Sequence, residues 1–157
     1  MPDDTSPSLF QVFNEIGIIE QLSRAILEAR LPHGLIAPHF TVLNHLTRVG
    51  DGRTPVELAR AFQIPKTSIT HTLKGLADRD LVELRPNPED GRSKRVWLTP
   101  QGSALRNDVI AQLSKDFEHL AERFDVGPML AMLPDLRALR IFLDENRDVT
   151  GTAHKRI

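Results

Sequence analysis

Cysteine is absent from the 157 residues. That excludes disulfides, cysteine-ligated zinc and thiol redox sensing, and it fits a reducing compartment. Tyrosine is also absent, and aromatic residues make up only 5%. A stacking platform for single-stranded nucleic acid is therefore not expected. No apolar run approaches the length that spans a bilayer. The opening MPDDTSPS is acidic and polar, without the basic start and apolar centre of a signal peptide. A cytoplasmic protein with no membrane partner is expected. Catalytic signatures are missing too: there is no nucleophile elbow, phosphate-cradling glycine loop or metalloprotease helix. The carboxylates are scattered along helix faces, so a non-enzymatic protein without a cofactor is expected.

What is present is a chain of ordinary globular make-up, with 40% hydrophobic and 26% charged residues. The net charge is −1, which at first argues against nucleic acid. The distribution argues otherwise. Between Arg53 and Arg95 there are nine Lys/Arg and six Asp/Glu, a local +3, while the remainder has eleven against fifteen, a local −4. Phosphate contact depends on the local patch, not the total.

Apolar periodicity predicts a first helix from about Ser8 to Arg30, with Leu9, Val12, Phe13, Ile16, Ile19, Leu22 and Ile26 in one stripe. A second helix is expected from Pro38 to Val49, with Phe40, Leu43 and Leu46 inward and Val42 beside them. Thr54-Pro55-Val56-Glu57 combines a capping box with proline at the first helical position. It starts a third helix with Val56, Leu58, Ala59 and Phe62 inward. After the turn Gln63-Ile64-Pro65, a fourth helix is expected to reach Arg79, burying Ile69, Leu73 and Leu76. Asp80 should end it, because aspartate tolerates the left-handed conformation. Leu81–Arg85 and Arg95–Leu98 alternate like paired half-buried strands. Thr99-Pro100 then starts a fifth helix with its stripe at Leu105, Val109, Leu113, Phe117, Leu120 and Phe124. Gly127-Pro128 interrupts, and a last helix runs from about Pro134 to Asn146, with a fraying tail after Arg147.

This is the layout of a winged helix-turn-helix: mainly α with a small β wing, flanked by N- and C-terminal dimerisation helices. Residues 1–34 and 100–157 are expected to serve dimerisation, and residues 35–99 to form the DNA-binding lobe. If the fourth helix buries its apolar stripe, Lys66, Thr67, Ser68, Thr70, His71 and Lys74 face outward. No acidic residue lies between Lys66 and Ala77, which suits approach to phosphates. Short hydroxyls and an imidazole can touch base edges or phosphate oxygens. Arg92 sits on an exposed loop after Gly91, where a guanidinium can enter a narrow minor groove. Lys94 and Arg95 read as phosphate contacts or strand-edge charges. Asp90 is expected to orient an arginine or to shape the turn. The bland alternative, a solvated face and hairpin tip, fits single residues better than the whole set. A winged-helix module that binds protein instead of DNA is the competing reading, kept open by the near-neutral total charge.

His33, His39 and His45 lie near an expected hinge. His39 and His45 are six residues apart, so one helix does not bring them to the same face, and no metal site is expected. His39 is expected on the surface or in a ligand pocket. Asp116 and His119 share a face of the fifth helix and read as a solvated pair.

The chain resembles the multiple antibiotic resistance regulator (MarR) family of winged-helix transcription factors. Leu58-Ala59, the helix from Pro65 to Asp78, Leu81-Val82, the Asp90-x-Arg92 wing and Val96-x-Leu98-Thr99-x-x-Gly102 carry the resemblance. It implies a homodimer on a pseudo-palindromic double-stranded operator, and a repressor released by a small phenolic or anionic effector bound between dimer and DNA lobes. It makes Lys66–Ala77 the recognition helix and Arg92 the minor-groove arginine. The chain departs from the pattern at Asp80, where glycine is common, and in lacking the cysteine of peroxide-sensing members.

Overall fold

The computed structural model describes residues 5–147. They form two compact units, one ending at Lys115 and one starting at Asp116. The first holds α1 (Thr5–Glu28), α2 (Ala37–Val49), α3 (Pro55–Phe62), α4 (Lys66–Ala77), β1 (Val82–Pro86), β2 (Lys94–Leu98) and most of α5 (Pro100–Arg123). The second holds the end of α5, α6 (Gly127–Ala131) and α7 (Leu133–Glu145). Helices dominate, with one two-stranded antiparallel sheet, which is the expected fold class. The tail after Arg147 lies outside the described residues.

The core of the first unit is where three short helices meet the sheet. Val42, Leu43 and Leu46 of α2, Leu58 of α3, Ile69, Leu73 and Leu76 of α4, and Val96 of β2 are almost completely buried. Ile69, Leu73 and Leu76 share one face because their spacings are close to a whole turn. Phe40 is only half-buried. Val56, expected inside, is 55% exposed. Leu58, Ala59 and Phe62 set the inward direction of α3, and Val56 lies more than a right angle away around the helix.

Local chemistry sets the ends of α3 and α4. Thr54 Oγ1 accepts from Glu57 N–H at 3.2 Å, and a Glu57 carboxylate oxygen accepts from Thr54 N–H at 2.7 Å. That second bond holds the Glu57 carboxyl below its ordinary range. Gln63 ends α3 with φ 55°, and Asp80 follows α4 with φ 56°. Each makes the same exit. Gln63 N–H donates to Arg60 O and Ile64 N–H to Ala59 O; Asp80 N–H donates to Ala77 O and Leu81 N–H to Leu76 O. These are Schellman closures, with Leu81 tucked beside Leu76 in the core. Asp80 was legible as a left-handed terminator, whereas nothing in the residue type marks Gln63.

β1 and β2 pair from Val82 opposite Leu98 to Pro86 opposite Lys94. The expected alternation in β1 does not hold. Leu81 belongs to the helix exit, Val82 is buried, and the next four residues are exposed. Arg53 adds a one-residue third strand, its carbonyl accepting from Val96 N–H at 2.8 Å. Arg85 stacks its guanidinium over Trp97 at 4.4 Å.

Thr99 joins the wing to α5. Its hydroxyl donates to Asp80 O at 2.6 Å and accepts from Gly102 N–H at 3.0 Å. On α5 only Gly102 and Val109 are buried; Phe117, Leu120 and Phe124 are about half exposed. In the second unit, the expected break at Gly127-Pro128 begins a five-residue helix, and Pro134 sits in the first turn of α7. His119 lies 3.6 Å from Glu122 on α5.

Gly102 is the tightest backbone approach in this arrangement. A Cβ there would overlap the Leu81 carbonyl oxygen and press on the Leu98 side chain. Gly102→Ala is therefore expected to destabilise the protein by about 1–3 kcal/mol, as overpacking does. Urea denaturation checks this; an unchanged midpoint and slope would contradict it.

Candidate nucleic-acid interface

With Ile69, Leu73 and Leu76 buried, α4 turns Lys66, Thr67, Ser68, Thr70, His71 and Lys74 to solvent. All six expected positions are exposed together. Their hydrogen-bonding capacity is uneven. The Thr70 hydroxyl donates to Lys66 O at 2.8 Å, which leaves its oxygen and methyl to meet a partner. Thr72, on the inner side, is buried and donates to Ser68 O. Lys74 pairs with Asp78 at 2.6 Å, both ends solvent-exposed. An exposed pair of this kind is weak, so phosphate can compete for the ammonium.

The wing is organised by a residue that sequence reading passed over. Asn87 is 8% exposed between two prolines. Its Nδ2 donates to Ser93 Oγ at 2.8 Å; its Oδ1 accepts from Glu89 N–H at 3.1 Å and from Arg95 Nε at 3.0 Å. Asn87 N–H also donates to Ser93 O at 3.4 Å. One amide thus bridges the two sides of the loop. The only sequence signal was a polar residue held between Pro86 and Pro88.

The three wing cations differ in what holds them. Arg95 is half-buried, donating to Asn87 and pairing with Glu89 at 3.1 Å. Lys94 is exposed. Arg92 is exposed at the tip, and among the described residues its guanidinium has no protein partner. Asp90 Oδ1 accepts from the Arg92 backbone N–H at 2.9 Å, and Asp90 O accepts from Ser93 N–H at 3.1 Å. Asp90 shapes the turn that presents Arg92 through backbone contacts. An exposed cation on a rigid tip can enter a narrow groove without first giving up an internal ion pair.

A second feature of the first unit is a cavity of about 330 Å³ lined by Glu20 and Arg24 of α1, Pro38 of α2, Phe62 of α3, and Ile69 and Thr72 of α4. Arg24 donates to Glu20 through Nε at 2.9 Å and also through Nη2; this pair holds the guanidinium above its already high pKa. The volume is within the range of small-ligand pockets. Arg24 and Glu20 were not singled out in the sequence, because an i, i+4 pair on a long helix reads as a solvated face. Among the described residues, no three His, Asp or Glu side chains are grouped to hold a metal ion. No helix among them is long and apolar enough to cross a membrane.

Fold and interface geometry together define a winged helix-turn-helix protein. It is similar in sequence and fold to the MarR transcription regulators. The MarR family model matches residues 33–93, the stretch from the linker before α2 to the wing. Wild-type MarR from E. coli in its apo form is 27% identical, covering 80% of this chain and 93% of that one, with a TM-score of 0.66. MarR from Staphylococcus aureus, solved with salicylate and kanamycin, is 21% identical, covering 88% and 94%, TM-score 0.73. BpsR of Bordetella bronchiseptica, whose DNA binding is regulated by 6-hydroxynicotinic acid, is 24% identical, covering 83% and 98%, TM-score 0.67. The last two share the fold with this chain.

Asn87→Ala would leave the Glu89 N–H, the Ser93 hydroxyl and Arg95 Nε without their shared partner. The wing is expected to lose about 1–3 kcal/mol of local stability. Hydrogen exchange over residues 87–94 should speed up while α2 and α4 stay protected. Unchanged exchange in the wing would show that Asn87 does not organise it.

Proposed function

We propose that this protein is a transcriptional repressor that binds a pseudo-palindromic duplex operator as a homodimer. The observation that carries the reading is the joint presentation of six polar, acid-free positions on α4 and an exposed Arg92 on a hydrogen-bonded wing. In this reading α4 enters the major groove, with Thr67, Ser68, Thr70 and His71 at base edges or phosphates. Lys66, Lys74 and Lys94 meet phosphates, and Arg92 reaches the minor groove. Arg95 contributes mainly by bracing the wing. The outward face has no Arg, Asn or Gln for bidentate base contact. Part of the specificity is therefore read from duplex shape.

Dimerisation is supported by apolar surface that a lone chain leaves wet. Phe10 and Leu22 on α1 are 70% and 63% exposed; in the second unit Leu130 and Phe142 are 65% and 60% exposed. A second copy is the simplest cover for such faces. In this reading residues 1–34 and 100–157 serve the dimer, and residues 35–99 serve DNA.

Arg92→Ala is expected to weaken operator binding by about 1–3 kcal/mol. Fluorescence anisotropy with a duplex selected from a random library checks it; unchanged affinity in a folded variant would remove the role. A protein-binding winged helix, consistent with the net charge of −1, would show no steep salt dependence of duplex binding.

The cavity beside Arg24 is the proposed effector site, with a small aromatic acid as ligand class. Its cation, apolar walls and size fit such an acid, and the S. aureus and B. bronchiseptica proteins support the choice. The acid's carboxylate would take the place of Glu20 at Arg24. Salicylate or 6-hydroxynicotinate should release a preformed DNA complex, and Arg24→Ala should blunt that release. A complex that survives saturating acid would indicate a constitutive binder.

A further inference from the structure

The start of α2 and the recognition helix touch through two reciprocal contacts, each a polar side chain set against a glycine. His39, in the first turn of α2, accepts at Nδ1 from Ile36 N–H at 3.0 Å. A neutral ring in that role carries its proton on Nε2. The Nε2 end lies against Gly75 of α4: a Cβ built there would stand 2.9 Å from it. In the opposite direction, Arg79, just past α4, brings its guanidinium against Gly34 of the α1–α2 linker. Gly34 has φ +84°, a conformation glycine takes at little cost. The same helix start is tied to α1, because a Glu28 carboxylate oxygen accepts from Ala37 N–H at 2.9 Å.

We propose that His39 is a positioning residue for the recognition helix: by seating on Gly75 while holding Ile36, it fixes the setting of α4 against the α1–α2 linker, and its protonation releases that setting. The inference rests on the DNA-binding reading above. A proton on Nδ1 removes the acceptor for Ile36 N–H and leaves two donors facing each other. It also places a cation opposite Arg79 and His71 of α4. The nearby acid, Glu28, is already engaged by Ala37 N–H. Burial, partly offset by the Ile36 backbone and aided by Arg79 and His71, keeps the ring below its ordinary pKa of 6.5. The sign follows. With the folded value depressed, neutral His39 is the fitted form above pH 6.5, and the contact is lost as pH falls through the folded value.

The test compares the full chain with His39→Asn, which keeps an oxygen acceptor where Nδ1 sits but does not titrate. Affinity for a duplex selected from a random library at pH 7.5 is measured down to pH 5.5 at fixed salt. The wild type should weaken relative to the variant by at least about fivefold, the lower end of typical coupling between two sites. His71 is present in both proteins, so the difference belongs to His39. Superimposable pH profiles would overturn the proposal. A second readout needs no variant. In the wild-type protein the Ile36 and Gly75 amide resonances should follow the same titration as the His39 ring; amides that ignore it would overturn the proposal even if His39→Asn fails to fold. Absence of duplex binding at pH 7.5 would count against the DNA reading instead, and the amide titration would then decide the positioning role alone.

Discussion

Burial of Ile69, Leu73 and Leu76 sets the rotation of α4 about its own axis, and the candidate interface depends on that rotation. These three side chains are at most 2% exposed, and removing any of them would cost several kcal/mol. With one face pinned so firmly, the opposite face has no freedom over what it presents. Lys66, Thr67, Ser68, Thr70, His71 and Lys74 are outward because the apolar stripe is inward. The Schellman exits at Gln63 and Asp80 fix where the chain enters and leaves this helix, and the wing inherits its position from the second of them through Leu81.

Much of this was legible in the residues. The capping box at Thr54, the stripe of α4, the left-handed Asp80 and the restart at Thr99 all rest on local rules, and local rules survive folding. What was illegible depended on tertiary context. Gln63 adopts a left-handed conformation that its side chain does not favour, because the turn between α3 and α4 demands it. Val56 looked inward until neighbouring residues defined inward. The one-residue strand at Arg53 leaves no periodicity to detect. Asn87 organises the wing by accepting and donating across it, and a lone asparagine in a loop carries no mark of that role. The stripe of α5 is real as a pattern, but its far half, Phe117, Leu120 and Phe124, stays exposed in the single chain.

The interface residues divide by the work that their surroundings leave them. Arg95 looks like Arg92 in sequence but is held by Asn87 and Glu89, so the tip and the brace of the wing are different arginines. In the proposed reading, an effector beside Arg24, a dimer face along α1 and the α4 surface are linked through the short linker before α2. Glu28, His39 and Arg79 are the side chains that hold that linker at its ends. A modest change there can alter DNA affinity without unfolding the core, since the polar contacts at the linker are individually weaker than the buried stripe.

The decisive measurement is a footprint of the protein on the duplex that it selects from a random-sequence library. A two-fold symmetric site is expected, with two half-sites centred about one helical turn apart. Major-groove protection should lie in each half, flanked by minor-groove protection that Arg92→Ala removes. A single unsymmetrical footprint, or no sequence enriched above the starting library, would contradict it.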